Sequence, residues 1–376
     1  MKFSCYIAGR VAALEACWEI FRWCPWPGHF VRADARLMIA GLLAVLGSAA
    51  HAGSQWTITD LGTLGGTFSI AQGINDFGQV VGQSSTENDI ELHAFVYKGG
   101  ALIDLGGTNN SANAINKAGQ VAGTGSTDGH SFFPFIYKNG VMDKLGGVSG
   151  AAWGINKYGH AVGSFASGGG DHAFVYRDGV LTDLGTLGGS SSSALDINGA
   201  GQVVGNSATS GDAAFHAFLY RDRRMIDLGT LGGSFSIAFG INDKGHVVGE
   251  SSTAAGTSRP FLYAGNRMHD LGTLGGDVSR ALGINNAGQV VGSSAAEPGG
   301  GIHAFLYCNG VMTDLNSLPA VQAAGWLLET ANAINNFGQI VGSGVINGQT
   351  HAFLLSPTSK SWRGGAGHNQ KQGGDD

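Results

Sequence analysis

Five histidines recur in one local setting, His-Ala-Phe, at His93, His172, His216, His303 and His351. Imidazole is the commonest metal ligand, so a repeated histidine first raises a metal reading. A zinc site, however, gathers its ligands about 2 Å from one ion. Five histidines at the same place in successive repeats stand apart, which favours a structural hydrogen-bonding role and no metal or cofactor. The aspartates of a recurring Asp-Leu pair (Asp60, Asp104, Asp183, Asp227, Asp270, Asp314) read the same way, because Lys144 replaces one while its repeat keeps its other landmarks. G-x-S-x-G, H-E-x-x-H, the P-loop and the D-x-D-x-D-G calcium loop are all missing, so no catalytic residue is assigned.

The elements that would position these residues come from the repeat itself, typified by LGTLGGSFSIAFGINDKGHVVG at residues 228–249. An Ile-Asn pair marks each copy, with the asparagine at Asn75, Asn116, Asn156, Asn198, Asn242, Asn285 and Asn335, a period of roughly 40–50 residues. Alanine stands four residues before each asparagine, and glycine three and seven residues after it. These asparagines are read as structural repeat positions. Each unit divides into four short strands: Ser-x-Ala-x-Gly-Ile-Asn, Gln/His-Val-Val-Gly, His-Ala-Phe-Leu/Val-Tyr, and a last strand ending in Asp-Leu. The Asn-x-x-Gly segment fits a tight turn closed by a left-handed glycine, with the asparagine side chain bonding backbone two residues on.

Four-stranded units of this size cannot bury their own faces and match the blades of a β-propeller. No Asp-Leu strand follows His351, but an extra one, residues 56–61, precedes the first Ile-Asn. The expected fold is therefore all-β: a seven-bladed β-propeller over residues 54–356, closed by an N-terminal strand that completes the last blade.

Composition agrees with a globular chain of low charge: 376 residues, 43% hydrophobic, 13% charged, with 65 glycines that tight turns account for. A net charge of -6 and the lack of a basic, aromatic-lined groove argue against nucleic-acid binding. Residues 1–52 read as an export signal with an extended leader: an apolar run, Leu37 to Ala50, follows Arg32 and Arg36 and ends near Ala50-His51-Ala52. The run is short for a membrane span, so the mature chain is expected to carry none and to be periplasmic, cell-surface or secreted. Cys5, Cys17 and Cys24 fall in the leader, which leaves Cys308 without an internal disulfide partner, and residues 357–376 read as a flexible polar tail.

His-Ala-Phe, DLGTLGG and GIN-x-x-GQVVG together resemble the HAF-repeat family of probable extracellular proteins, over residues 56 to 355. The resemblance implies export and repeat architecture, and no activity. Phe133-Pro134-Phe135 and Arg259-Pro260-Phe261 depart from it, so the histidine is useful to a unit without being required.

Function is sought on two faces and an axis. Loops between the second and third strands differ among copies and carry Glu87, Asp89, Glu91, Asp128, Asp171, Asp212, Glu250 and Glu297 against Arg259, an acidic candidate binding face. The opposite, uniform turns carry Lys98, Lys138, Arg177, Arg221, Arg223, Arg224 and Arg267, together with Lys117, Lys157 and Lys244, a basic face suited to anionic surfaces. The leading expectation is a monomeric binding or surface-interaction module for a glycan, envelope component or protein. The alternative is a secreted carbohydrate-active hydrolase or lyase at the axis, where Gln72, Asn113, Asp196, Arg280, Glu329 and Asn332 break a small-residue pattern. A polar, acidic axis around Asp196 and Glu329 would favour that alternative.

Overall fold

The computed structural model describes residues 56–358. The expected export signal and leader, and the polar tail beyond Thr358, lie outside the described residues. No helix among the described residues is long and apolar enough to cross a membrane.

The described residues fold almost entirely into antiparallel four-stranded units. The chain begins with β1 (Trp56–Asp60), followed by a complete unit of β2 (Gly65–Ile74), β3 (Val80–Thr86), β4 (Leu92–Lys98) and β5 (Ala101–Asp104) paired in sequence order. The order recurs in β6–β9 (residues 108–144), β10–β13 (150–185), β14–β17 (188–227), β18–β21 (232–270) and β22–β25 (279–314). The last group, β26–β28 (327–357), has only three strands of its own. Its fourth is β1, which runs antiparallel to β28 (Gln349–Pro357), with Trp56 opposite Pro357 and Asp60 opposite Phe353.

Each unit is too thin to hold a core alone, so the apolar clusters form between units. Val81 and Ala94 of one unit, for example, pack with Ala112, Ile115 and Val121 of the next. The phenylalanines of the His-Ala-Phe strand and its variants (Phe95, Phe135, Phe174, Phe218, Phe261, Phe305, Phe353) are all fully buried, a burial of about 2–3 kcal/mol apiece. One element departs from the sequence expectation. A short helix, α1 (Pro319–Ala323), interrupts the longest repeat and buries Val321 beside Trp326, Leu328 and Trp56 of β1. Proline starts it and the apolar pocket under β1 holds it.

Two constant glycines have different causes. Gly245, three residues after Asn242, has a φ of +76°, the left-handed conformation the turn requires. Gly249, seven after it, is constant for space: a Cβ there would collide with the Ile237 carbonyl oxygen and the Phe261 ring. The carbonyl comes that close because the innermost strand bulges beside it, the register slipping between Ala238 and Gly240. The same slip follows the constant alanine in every unit.

Candidate ligand site on the axis

The constant asparagines tie the units together. In the turn after β2, Asn75 Oδ1 accepts from the backbone N–H of Phe77 and Gln79, both at 3.0 Å, while Nδ2 donates to the Asn116 carbonyl at 3.1 Å. Asn116 donates in turn to Asn156, Asn156 to Asn198, Asn198 to Asn242, Asn242 to Asn285 and Asn285 to Asn335. Asn335 donates to the carbonyl of Asn75 at 3.0 Å, so the series returns to its start. All seven side chains are buried. Sequence patterning finds the turn-capping half of this role; the bond to the next unit needs the assembled fold.

Inside this girdle lies a cavity of about 360 Å³. The residue displaced by each bulge lines it: Gln72, Asn113, Trp153, Leu195, Phe239, Leu282 and Asn332. A bulge re-aims one side chain, and here it aims one per unit at a common centre. The lining is divided. Asn332, Gln72 and Asn113 come from adjacent units and form a polar arc; Trp153, Leu195, Phe239 and Leu282 complete an apolar one. Trp153 remains 39% exposed although it lines an interior space. Asn113 and Asn332 each donate to a neighbouring unit's carbonyl at 2.8 Å, of Ala152 and Ala71 respectively. The Gln72 side chain makes no hydrogen bond among the described residues.

Asp196 stands where the other units have glycine or alanine. One edge is open to the cavity, but the carboxylate is hemmed in by protein and accepts from the backbone N–H of Ile197 at 2.8 Å and Ile241 at 2.9 Å. Burial pushes its pKa up to about 6, the nearby Asp243 charge adds to the rise, and the two N–H bonds oppose it. Toward the turn side, the isoleucines of all the Ile-Asn pairs form an apolar collar, beyond which lies a mouth lined by Asp76, Lys117, Lys157 and Asp243. Asn336, Asn286 and Gly199 knit part of that mouth together through Asp76 and Asp243.

Of the polar residues singled out from sequence, Gln72, Asn113, Asp196 and Asn332 meet at the cavity. Arg280 and Glu329 are not among the residues that line it; Arg280 Nε instead lies 3.6 Å from Glu250. Trp153, Leu195, Phe239 and Leu282 were missed, because an apolar residue in a strand reads as core. The available signal was variability in place: between constant alanine and constant Ile-Asn, this position alone takes both large apolar and amide side chains.

On the acidic loop face most of the carboxylates are engaged within the loops. Asp89 accepts from Ser85 Oγ at 2.5 Å and from the Thr67 N–H at 2.7 Å, and these bonds hold its pKa below the ordinary value. Asp128 accepts from the N–H of Ser131 and His130 at 2.6 and 2.9 Å, which holds it well below the usual carboxylate range. Asp212 accepts from Ser190, Glu91 meets His93 Nε2 at 3.0 Å, and Glu250 accepts from Ser258 Oγ. Only the side chains of Glu87, Asp171, Glu297 and Arg259 make no such bond among the described residues. Loop backbones are rich in unpaired N–H groups, and a short acidic side chain satisfies them first.

Each repeated histidine bonds through Nδ1 to the aspartate of the adjoining strand at 2.8–3.1 Å: His93 to Asp104, His172 to Asp183, His216 to Asp227, His303 to Asp314 and His351 to Asp60. The last pair joins β28 to β1. For His93, burial lowers the pKa, but the bonds to Glu91 and Asp104 outweigh it and the net shift is upward. Where Phe133 replaces histidine, Lys144 replaces aspartate, and its Nζ sits 3.9 Å from the Phe133 ring centroid. The pair is exchanged as a unit, charge–ring for charge–imidazole. Among the described residues no group of three or more His, Cys, Asp or Glu is arranged to hold a metal ion.

The turns between first and second strands and between third and fourth share one side: Lys98 and Lys117 flank one cleft, Arg221 and Lys244 another. Lys98, Lys138, Arg177, Arg221, Arg223, Arg224 and Arg267 are all exposed there. Arg177 Nε lies 3.9 Å from Asp178 and is the one member with an ion pair.

No family model matches the chain, and no curated protein does. Solved structures do. The β-propeller domain of the Trilobed protease from Pyrococcus furiosus, described as having an open velcro topology, is 9% identical with a TM-score of 0.53, covering 78% of this chain and 96% of that one. A puromycin-hydrolyzing peptidase from Mycobacterium tuberculosis is 12% identical with a TM-score of 0.51, covering 81% of this chain and 55% of that one. An acylaminoacyl peptidase from Pyrococcus horikoshii is 11% identical at 0.50, covering 78% of this chain and 52% of that one. The chain thus spans about half the length of the two peptidases. At such identity the likeness is one of fold: the described residues form a β-propeller.

Proposed function

We propose that this protein is a seven-bladed β-propeller of the HAF-repeat type, closed by its N-terminal strand, exported from the cell, and used there as a binding module. The pairing of β1 with β28 and the return of the asparagine series to Asn75 support the blade count and the closure. The observation that carries the binding reading is the ring of bulge residues. A repeat that needed only to pack would place similar small residues there, as it does at the constant alanines. Instead the position varies among the blades between amide and large apolar side chains around one common space, a concave site with a few polar groups on a rigid frame. The hydrolase or lyase alternative draws less support. Glycoside hydrolysis uses two carboxyl groups flanking the scissile bond, and among the described residues Asp196 is the only carboxylate lining the cavity.

The test is a thermal-shift screen of the protein against glycans, envelope lipids and peptides, run beside a broad glycosidase and peptidase assay. A ligand that raises the melting temperature, with no turnover, supports a binding module. Turnover that Asp196→Asn abolishes would overturn it.

A further inference from the structure

We infer that the axial cavity is a saccharide site, taking a neutral pyranose unit between its two arcs; this rests on the binding-module reading above. A pyranose ring has a C–H face that stacks on aromatic and aliphatic side chains, and an edge of hydroxyls that needs hydrogen-bond donors and acceptors. The cavity offers both on opposite sides. Trp153, Leu195, Phe239 and Leu282 form the apolar wall, and the amides of Asn332, Gln72 and Asn113 face it. Amides serve this purpose better than charged groups because each donates and accepts, as a hydroxyl does.

Two features select against other occupants. An acyl chain would leave the Gln72 amide, which has no protein partner among the described residues, against a surface unable to hydrogen-bond, at a cost that Asn113 and Asn332, already bonded to Ala152 and Ala71, do not share. An anion would meet the Asp196 carboxylate with no cation among the described residues lining the cavity to offset it. Asp196 instead accepts hydrogen bonds, and its oxygens keep free lone pairs beyond the two bonds from Ile197 and Ile241. The isoleucine collar is a poor passage for a hydroxylated molecule, so the sugar approaches from the variable-loop side, where the end of a longer glycan can extend outward.

The full-length protein would be titrated with glucose, galactose, N-acetylglucosamine, cellobiose, lactose and chitobiose, with hexylamine and decanoate as comparators. Tryptophan fluorescence and melting temperature report binding, and Trp153→Ala assigns the signal. Because Trp153 is 39% exposed, its removal should leave the unliganded melting temperature within a degree or two of wild type. The expected result is saturable binding of at least one sugar, weakened roughly ten-fold by Trp153→Ala and by a smaller factor in Gln72→Ala. Sugar binding indifferent to both substitutions overturns the site. Trp153-dependent binding of hexylamine or decanoate and of no sugar overturns the saccharide assignment while leaving the binding module standing. Failure of every probe overturns the saccharide assignment, and if the broader screen is also silent the module reading falls with it.

Discussion

Changing Asn242 to aspartate alters the asparagine series at a single atom. The Oδ1 position still accepts from the N–H of Lys244 and His246, both at 3.0 Å, so the turn keeps its cap. The lost bond is the one from Nδ2 to the Asn285 carbonyl, also 3.0 Å, between groups that are almost fully buried. An oxygen in place of the amide nitrogen faces that carbonyl acceptor to acceptor; the carbonyl keeps the Gly288 N–H at 3.0 Å, and the new carboxylate oxygen is the buried atom left without a donor. Leaving a buried polar group unsatisfied costs about 1–3 kcal/mol, and a buried carboxylate charge places the total near the upper end, about 3 kcal/mol. For a domain of this size that corresponds to a fall in melting temperature of roughly 6–12 °C at neutral pH. Asn266→Asp is the control, because Asn266 is exposed in a left-handed turn that aspartate also tolerates, and it should stay within about 0.5 kcal/mol of wild type. The deficit should depend on pH with a definite sign. The new carboxyl has its folded pKa raised above the ordinary value near 3.9. Below that value both states are protonated and the acid can donate to the Asn285 carbonyl, so the variant approaches wild type; the deficit grows as pH rises through the folded pKa. Urea denaturation across pH, with wild type as reference, reads all of this. Equal midpoints for the two variants at pH 7 would refute the reasoning that the asparagine series clasps neighbouring blades.

A chain beginning at Thr63 lacks β1, and with it Trp56 and the Asp60 partner of His351, so it should lose at least the about 3–5 kcal/mol typical of deleting one buried tryptophan, or self-associate through the bared edge of β28. Melting temperature and sedimentation read this, and an unchanged monomer would contradict closure by β1. In the second blade, Phe133→His and Lys144→Asp should each destabilise alone and recover together, with a coupling of about 1 kcal/mol in a double-mutant cycle; strict additivity would mean the two side chains do not act as a pair. Asp196 has its folded pKa raised to about 6, so its contribution is fully present at low pH and is lost as pH rises from the unfolded value toward 6. Wild-type stability relative to Asp196→Asn should therefore decline across that window, and a carboxyl resonance titrating near 4 would show that the group is not buried as described.

The sequence by itself determined the repeat, the strands in each unit and the strand that finishes the last one. These rest on local chemistry: an asparagine cap, a left-handed glycine such as Gly245, alternating apolar residues in His-Ala-Phe, and an unpaired Asp-Leu strand left over at one end. The histidine–aspartate pairing was partly legible too, since the two residues recur eleven positions apart in four units and Phe133 and Lys144 change both at once, although Arg259 replaces the histidine while Asp270 stays. What only the tertiary structure decided is where side chains point at the centre. A strand read with a period of two cannot reveal a bulge, and the one-residue slip turns Gln72, Trp153 and Phe239 from strand positions into cavity lining. The loop carboxylates went the other way. Asp89, Asp128 and Asp212 read as a free acidic face until the fold shows the N–H and hydroxyl groups they satisfy. The reason is common to both: spacing along a chain reports which residues share an element, whereas direction at a bulge or in a loop depends on backbone groups brought in from neighbouring strands and loops.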